Sequence, residues 1–120
     1  MPPPQDFTLD IPIFAKLHDF YKNLSQTLTN FPKDKRFTLG NKLDHLTLEI
    51  IESVIAAGYS AREQKYNHLE KAQLHLEITK ILIRLALDTK VLDNRKYIQL
   101  QQTLLEIGKM LGGWKRSLKM

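Results

Sequence analysis

Tyr97, Leu100, Leu104, Ile107, Leu111 and Trp114 follow one another at steps of 3, 4, 3, 4 and 3. That spacing places all six on one face of an α-helix. The same period runs through Phe14, Leu17, Tyr21, Leu24, Leu28 and Phe31, and nearly so through Leu39, Leu43, Leu46, Ile50 and Val54. A further segment, about residues 62 to 89, carries Leu69, Ala72, Leu76 and Ile83 on one stripe. No segment sustains a period of two between hairpin turns, so no sheet is predicted.

Punctuation agrees with periodicity. Four of the five prolines fall in residues 1–12, three of them consecutive, and the fifth is Pro32. The glycines are Gly40, Gly58, Gly108, Gly112 and Gly113. Long stretches between such breakers favour long helices. Asn30-Phe31-Pro32 closes one helix and opens the next, with Pro32 where a missing N–H costs least. Gly58-Tyr59-Ser60 reads as a stop followed by a new cap, and Asp93 as an N-cap. Gly40 falls inside a helix, where it marks a close approach or an irregular first turn. Gly112-Gly113 reads as a C-terminal break or a site of close packing. The expectation is all-α: an antiparallel up-down-up-down four-helix bundle over residues 13–120, behind a flexible Pro-rich arm at 1–12. Each helix would be on the order of 30–40 Å long at 1.5 Å per residue.

The third helix carries a surplus. Besides its first stripe it holds Leu74, Ile78, Ile81, Leu82 and Leu85, leaving only Gln73, Glu77, Lys80, Arg84 and Asp88 as a narrow polar line. A helix apolar on nearly all sides needs burial on more than one face. In a small bundle this points to a subunit contact as well as a core, and Trp114 reads as core or contact packing too.

Several chemistries are disfavoured. The chain has no cysteine, which removes disulfides and thiolate sites. His68 and His75 are seven apart, too far for an i, i+4 chelating pair, and no two helices carry the Glu-x-x-His pattern of a di-iron bundle. His18 and His45 add no ligand set, and Asp44 and His45, being adjacent, do not face each other. Ser25, Ser53, Ser60 and Ser117 lack a nucleophile-elbow context, and no phosphate-binding glycine loop is present. The expectation is therefore no enzyme, no catalytic residue, no cofactor and no metal. No apolar run reaches the ~18 residues that span a bilayer, and the N-terminus has no signal-peptide pattern. A cytoplasmic protein without membrane association is expected.

Net charge is +5, which favours an anionic partner. The cations fall in three places: Lys33, Lys35, Arg36 and Lys42 at the start of the second helix; Lys80 and Arg84 one turn apart in the third; and Lys109, Lys115, Arg116 and Lys119 toward the C-terminus. Glu77 with Lys80 and Arg84 with Asp88 have the spacing of helical ion pairs. No aromatic is interleaved with the basic groups as on single-strand platforms, so base-specific reading is not expected.

Phe31-Pro32-Lys33, Leu39, Ile55-Ala56-Ala57-Gly58 and, above all, Glu106-Ile107-Gly108-Lys109-Met110-Leu111-Gly112-Gly113-Trp114 resemble the accessory variability determinant (Avd) of diversity-generating retroelements. The resemblance covers about residues 14 to 118. It implies a non-catalytic four-helix bundle that assembles as a barrel-like homopentamer, associates with the retroelement's reverse transcriptase and binds RNA or DNA through a basic surface. It further implies a role in mutagenic retrohoming, in which cDNA copied from a template RNA diversifies a target gene. The two basic positions on the family's third helix fall on Lys80 and Arg84, with lysine at the first where arginine fits the pattern more closely. The family's basic stretch after the tryptophan falls on Lys115, Arg116 and Lys119, and Lys33, Lys35 and Arg36 are the remaining candidates for polymerase or nucleic-acid contact. Phe-Pro-Lys is shared with small bundle proteins encoded by intervening sequences in ribosomal RNA genes, which leaves a stand-alone RNA-associated or structural role as an alternative. A metal-dependent bundle enzyme using His68 and His75 is a third. Fivefold repetition would raise +5 per chain to a formal +25 for five chains.

Overall fold

The computed structural model describes residues 12–118, and the expected arm at 1–12 therefore lies outside them except for Pro12. Among the described residues there are four long helices and no strand: α1 Pro12–Leu28, α2 Asn41–Tyr59, α3 Arg62–Asp88 and α4 Asn94–Leu118. A single helical turn, Lys33–Lys35, and a π-helical turn, Arg36–Gly40, run directly into α2. Gly40 thus marks an irregular start to the second helix. It is buried against the end of α1, where a Cβ would lie 3.6 Å from both Leu28 and Phe31. A π turn carries an extra residue, which the 3.6-residue period of the flanking sequence does not announce.

One apolar core joins all four helices. Leu17, Leu24, Leu43, Ile50, Leu69, Leu76, Ile83, Leu100, Leu104, Ile107 and Leu111 are fully buried in it, and Phe31 and Leu92 close one end. The buried face of α1 is displaced from the one the periodicity selects. Ile13, Leu17, Phe20, Leu24 and Thr27 point inward, while Phe14, Tyr21 and Leu28 sit at its edge. Tyr21 has a polar tip to satisfy, and its hydroxyl donates to Asp44 Oδ1 on α2 at 2.6 Å. Phe20 has none and takes the core position. Thr47 and Thr79, also buried, return their hydroxyl hydrogens to the carbonyls of Leu43 and His75 one turn back.

Polar contacts tie each helix to two neighbours. Lys16 pairs with Glu106 at 2.9 Å, and Lys96 Nζ donates to Asn23 Oδ1 at 3.2 Å, linking α1 to α4. Tyr21 links α1 to α2. His75 Nε2 lies 3.8 Å from Glu49 between α3 and α2, and Gln101 donates to the Lys80 carbonyl between α4 and α3.

The helix ends confirm one expected cap and correct two other readings. Asp93 Oδ1 accepts the Lys96 N–H at 2.8 Å, capping α4. Ser60 does not cap α3. Its hydroxyl turns back to the Ala56 carbonyl at 2.6 Å, and Lys65 Nζ closes the end of α2 by donating to the Ala57 and Gly58 carbonyls. Gly112-Gly113 is no break, because α4 continues through both to Leu118 with the Arg116 guanidinium folded over them. α3 ends on Thr89 and Lys90. The N–H of Lys90 reaches the Leu87 carbonyl and that of Val91 the Ala86 carbonyl, a Schellman arrangement that holds Lys90 at φ 63°.

Two measurements check this packing. Leu104→Ala empties a fully buried position and is expected to cost about 2–5 kcal/mol, read from the urea midpoint. Tyr21 ionises above its ordinary value of 10, chiefly because its neutral hydroxyl donates to Asp44 and secondly because of burial. A raised acid of this kind contributes stability that is complete below pH 10 and lost as pH rises through the folded value. Ultraviolet titration should therefore show a late tyrosinate that is absent in Tyr21→Phe.

Candidate nucleic-acid and protein interfaces

The basic residues singled out by sequence separate into three environments. Lys80 and Arg84 line a shallow groove of about 390 Å³ between α3 and α4, with Glu77, Ile81, Tyr97, Gln101 and Leu105. Both are ion-paired. Lys80 Nζ is 3.1 Å from Glu77, and Arg84 Nε is 3.0 Å from Asp88. The Asp88 hydrogen bond, then its charge, then a hydrogen bond with Tyr97 raise the Arg84 pKa above its ordinary value. The groove therefore presents matched charges flanked by apolar side chains.

The outer face of α3 continues that apolar surface. Leu74 (60% exposed), Ile81 (67%) and Leu85 point away from the core, and Ile98 and Leu105 of α4 are exposed as well. Spacings of seven and four put Leu74, Ile81 and Leu85 on one stripe, with half-buried Ile78 completing it. Of the surplus read from the third helix, these four form a contiguous outward stripe, whereas Leu82 packs against the core.

The second environment is the turn between α1 and α2. Lys33 and Lys35 are exposed. Arg36 Nη2 donates to the Thr29 carbonyl at 3.1 Å and the Phe31 carbonyl at 3.5 Å, closing the C-terminal end of α1, where a cation complements the helix dipole. Phe37, directly after Arg36, is 63% exposed. This corrects the reading that no aromatic is interleaved with the cations. The spacing of Phe37 does not reveal its exposure, because the π turn shifts the face on which it falls.

The third environment is the end of α4, which is helical rather than a tail. Lys115 is 19% exposed and is clamped between helices: its Nζ lies 2.7 Å from Glu70 Oε2, 2.9 Å from Gln73 Oε1 and 5.5 Å from the Tyr66 ring centroid. It fastens α4 to α3, so its charge is spent within the fold. Arg116 is exposed over the two glycines, and Lys119 lies outside the described residues.

Sequence reasoning passed over one further cationic segment. Lys90, Arg95 and Lys96 surround the α3–α4 turn, which meets the end of α1 across a cleft of about 270 Å³ lined by Gln26, Thr27, Asn30, Val91, Leu92, Asp93 and Lys96. The interrupted order Lys-Val-Leu-Asp-Asn-Arg-Lys hides the cluster in one dimension. Among the described residues no group of three or more His, Asp or Glu is placed to hold a metal ion, and no helix is long and apolar enough to cross a membrane.

Four packed helices whose outer faces alternate matched charge, open charge and apolar side chains define a helical-bundle protein built around its surfaces. Residues 12–118 match the family model described as bAvd-like, and the chain belongs to that family of Avd-type proteins. No curated protein matches the chain.

The clamp role of Lys115 is directly testable. Lys115→Ala is expected to lower stability by about 1 kcal/mol, because Glu70 and Gln73 then lose a charged partner at the α3–α4 seam. Arg116→Ala should leave the urea midpoint within about 0.5 kcal/mol of wild type.

Proposed function

We propose that this chain is a non-catalytic accessory protein of a diversity-generating retroelement. In this reading it is a cytoplasmic protein that binds the element's reverse transcriptase and nucleic acid, and supports mutagenic retrohoming. The match over residues 12–118 to the bAvd-like family carries the reading, and favours it over a stand-alone intervening-sequence role. The helices run up-down-up-down and antiparallel. Support comes from paired contacts that run in opposite order, Lys16 with Glu106 and Asn23 with Lys96, and Glu70 with Lys115 and Lys80 with Gln101.

Five copies assemble into a ring, with the outward stripe of Leu74, Ile78, Ile81 and Leu85 covered by neighbouring subunits. Covering an exposed leucine or isoleucine contributes about 1.5–3 kcal/mol, and an open stripe of this kind marks a protein contact. Lys80 and Arg84 serve a protein partner, the polymerase, since ion-paired cations beside Ile81 and Leu105 suit a mixed protein surface. Lys33, Lys35 and Arg36, together with Arg116 and Lys119, offer charge to nucleic acid. Lys115 contributes by holding α4 in place.

The wild-type protein should elute with a mass about five times the 14.0 kDa of one chain. Ile81→Glu should run smaller with unchanged helicity by circular dichroism. Lys80→Ala/Arg84→Ala should retain less of the reverse transcriptase encoded beside it in co-purification, while keeping the wild-type assembly. A wild-type monomer that retains no polymerase would overturn the proposal.

A further inference from the structure

Cations in this fold differ in what neutralises them. Lys16, Lys80, Arg84 and Lys115 each face a carboxylate within 3.1 Å. Among the described residues none of Lys33, Lys35, Arg36, Lys90, Arg95 or Lys96 forms an ion pair. Arg36 and Lys96 donate instead to neutral oxygens, those of Thr29, Phe31 and Asn23. Residues 32–36 hold three cations and one acid, Asp34. Residues 89–96 hold three cations and one acid, Asp93, which is occupied in capping α4.

The two segments share one end of the bundle. The chain between Thr27 and Asn30 forms one wall of the 270 Å³ cleft, and Val91, Leu92, Asp93 and Lys96 form the other. Arg36 is bonded to Thr29 and Phe31 beside the first wall, and Lys90 and Arg95 flank the second. Phe37 projects from the same π turn as Arg36 with nearly two-thirds of its surface open. Lys90 lies at the Schellman end of α3. It occupies a left-handed position that glycine fits without penalty, whereas a side chain there costs roughly 1–2 kcal/mol.

We infer that this end of the bundle, formed by Lys33–Phe37 and Lys90–Lys96, is a binding site for single-stranded nucleic acid. Lys33, Lys35, Lys90 and Arg95 take the phosphates, and Phe37 stacks on an unpaired base. Open cations attract a polyanion without first breaking an internal ion pair, which gives this end an advantage over the Lys80–Arg84 groove. An exposed aromatic among cations suits a single strand, whose bases are free to stack, over a duplex, whose bases are not. The inference rests on the proposed nucleic-acid role and locates it.

Fluorescence anisotropy with a labelled single-stranded RNA and its duplex, across 50–200 mM salt, tests it. Lys90→Gly/Arg95→Ala should bind the single strand about tenfold or more weakly, with the log–log salt slope reduced by about 1.4 for two lost phosphate contacts. Its melting temperature should match or exceed wild type, because glycine relieves the turn. Phe37→Ala should weaken single-strand binding roughly tenfold with the slope unchanged, since stacking releases no counterion. Wild-type binding to the single strand should exceed binding to the duplex. If Lys80→Ala/Arg84→Ala abolishes binding while both end variants bind as wild type, the site lies in the groove and this inference alone fails. If the wild-type chain binds neither probe, the nucleic-acid role falls with it.

Discussion

α3 is asked to face two apolar environments at once, and only one exists within the chain. Leu69, Ala72, Leu76, Thr79, Ile83 and Ala86 fill the inner face and carry the core between α2 and α4. Leu74, Ile81 and Leu85 lie on the opposite side and meet no other helix of the same chain closely enough to be buried. Twenty-seven residues of uninterrupted helix make this possible, because the two stripes stay in register along the rod. The inner stripe stabilises the fold, and the outer stripe is left exposed.

Charge is distributed in the same divided manner. Four cations along the sides of the bundle are matched by acids across or within helices: Lys16 by Glu106, Lys80 by Glu77, Arg84 by Asp88, Lys115 by Glu70. Such pairs contribute little to stability when exposed, but at the Lys80–Arg84 groove they leave the local charge matched, which suits packing against another protein. At the end where α1 turns into α2 and α3 into α4, Arg36 and Lys96 meet carbonyl and amide oxygens, and Lys33, Lys35, Lys90 and Arg95 are in no ion pair among the described residues. A net charge of +5 is modest for a whole chain. At this end six cations, Lys33, Lys35, Arg36, Lys90, Arg95 and Lys96, stand against Asp34 and Asp93, a local excess of positive charge.

The cores of α3 and α4 were legible in the sequence, since their stripes at 69–83 (steps of 3, 4 and 7) and 100–111 (steps of 4, 3 and 4) keep the helical period and are buried as read. So were the surplus on α3, the Asp93 cap and the ion pairs of Lys80 and Arg84, all of which rest on local spacing. The face of α1 was misread because Phe14 and Tyr21 compete with Ile13 and Phe20, and only the reach of Tyr21 to Asp44 decides between them. Lys115 looked like a tail cation because glycines precede it. Its burial depends on Glu70 and Gln73, more than forty residues away in sequence. The exposure of Phe37 follows from the π turn, and the clustering of Lys90, Arg95 and Lys96 with the α1–α2 turn follows from tertiary contact. Neither has a one-dimensional signature.

The central claim is that the outer stripe of α3 is covered when the protein works. Hydroxyl-radical footprinting of the full chain, read residue by residue by mass spectrometry over a range of protein concentrations, measures this directly. The account predicts that oxidation of Leu74, Ile81 and Leu85 falls together as concentration rises, while exposed Phe37 at the bundle end is oxidised to the same extent throughout. Oxidation of those three residues at a constant high rate, independent of concentration and of added polymerase, would contradict it.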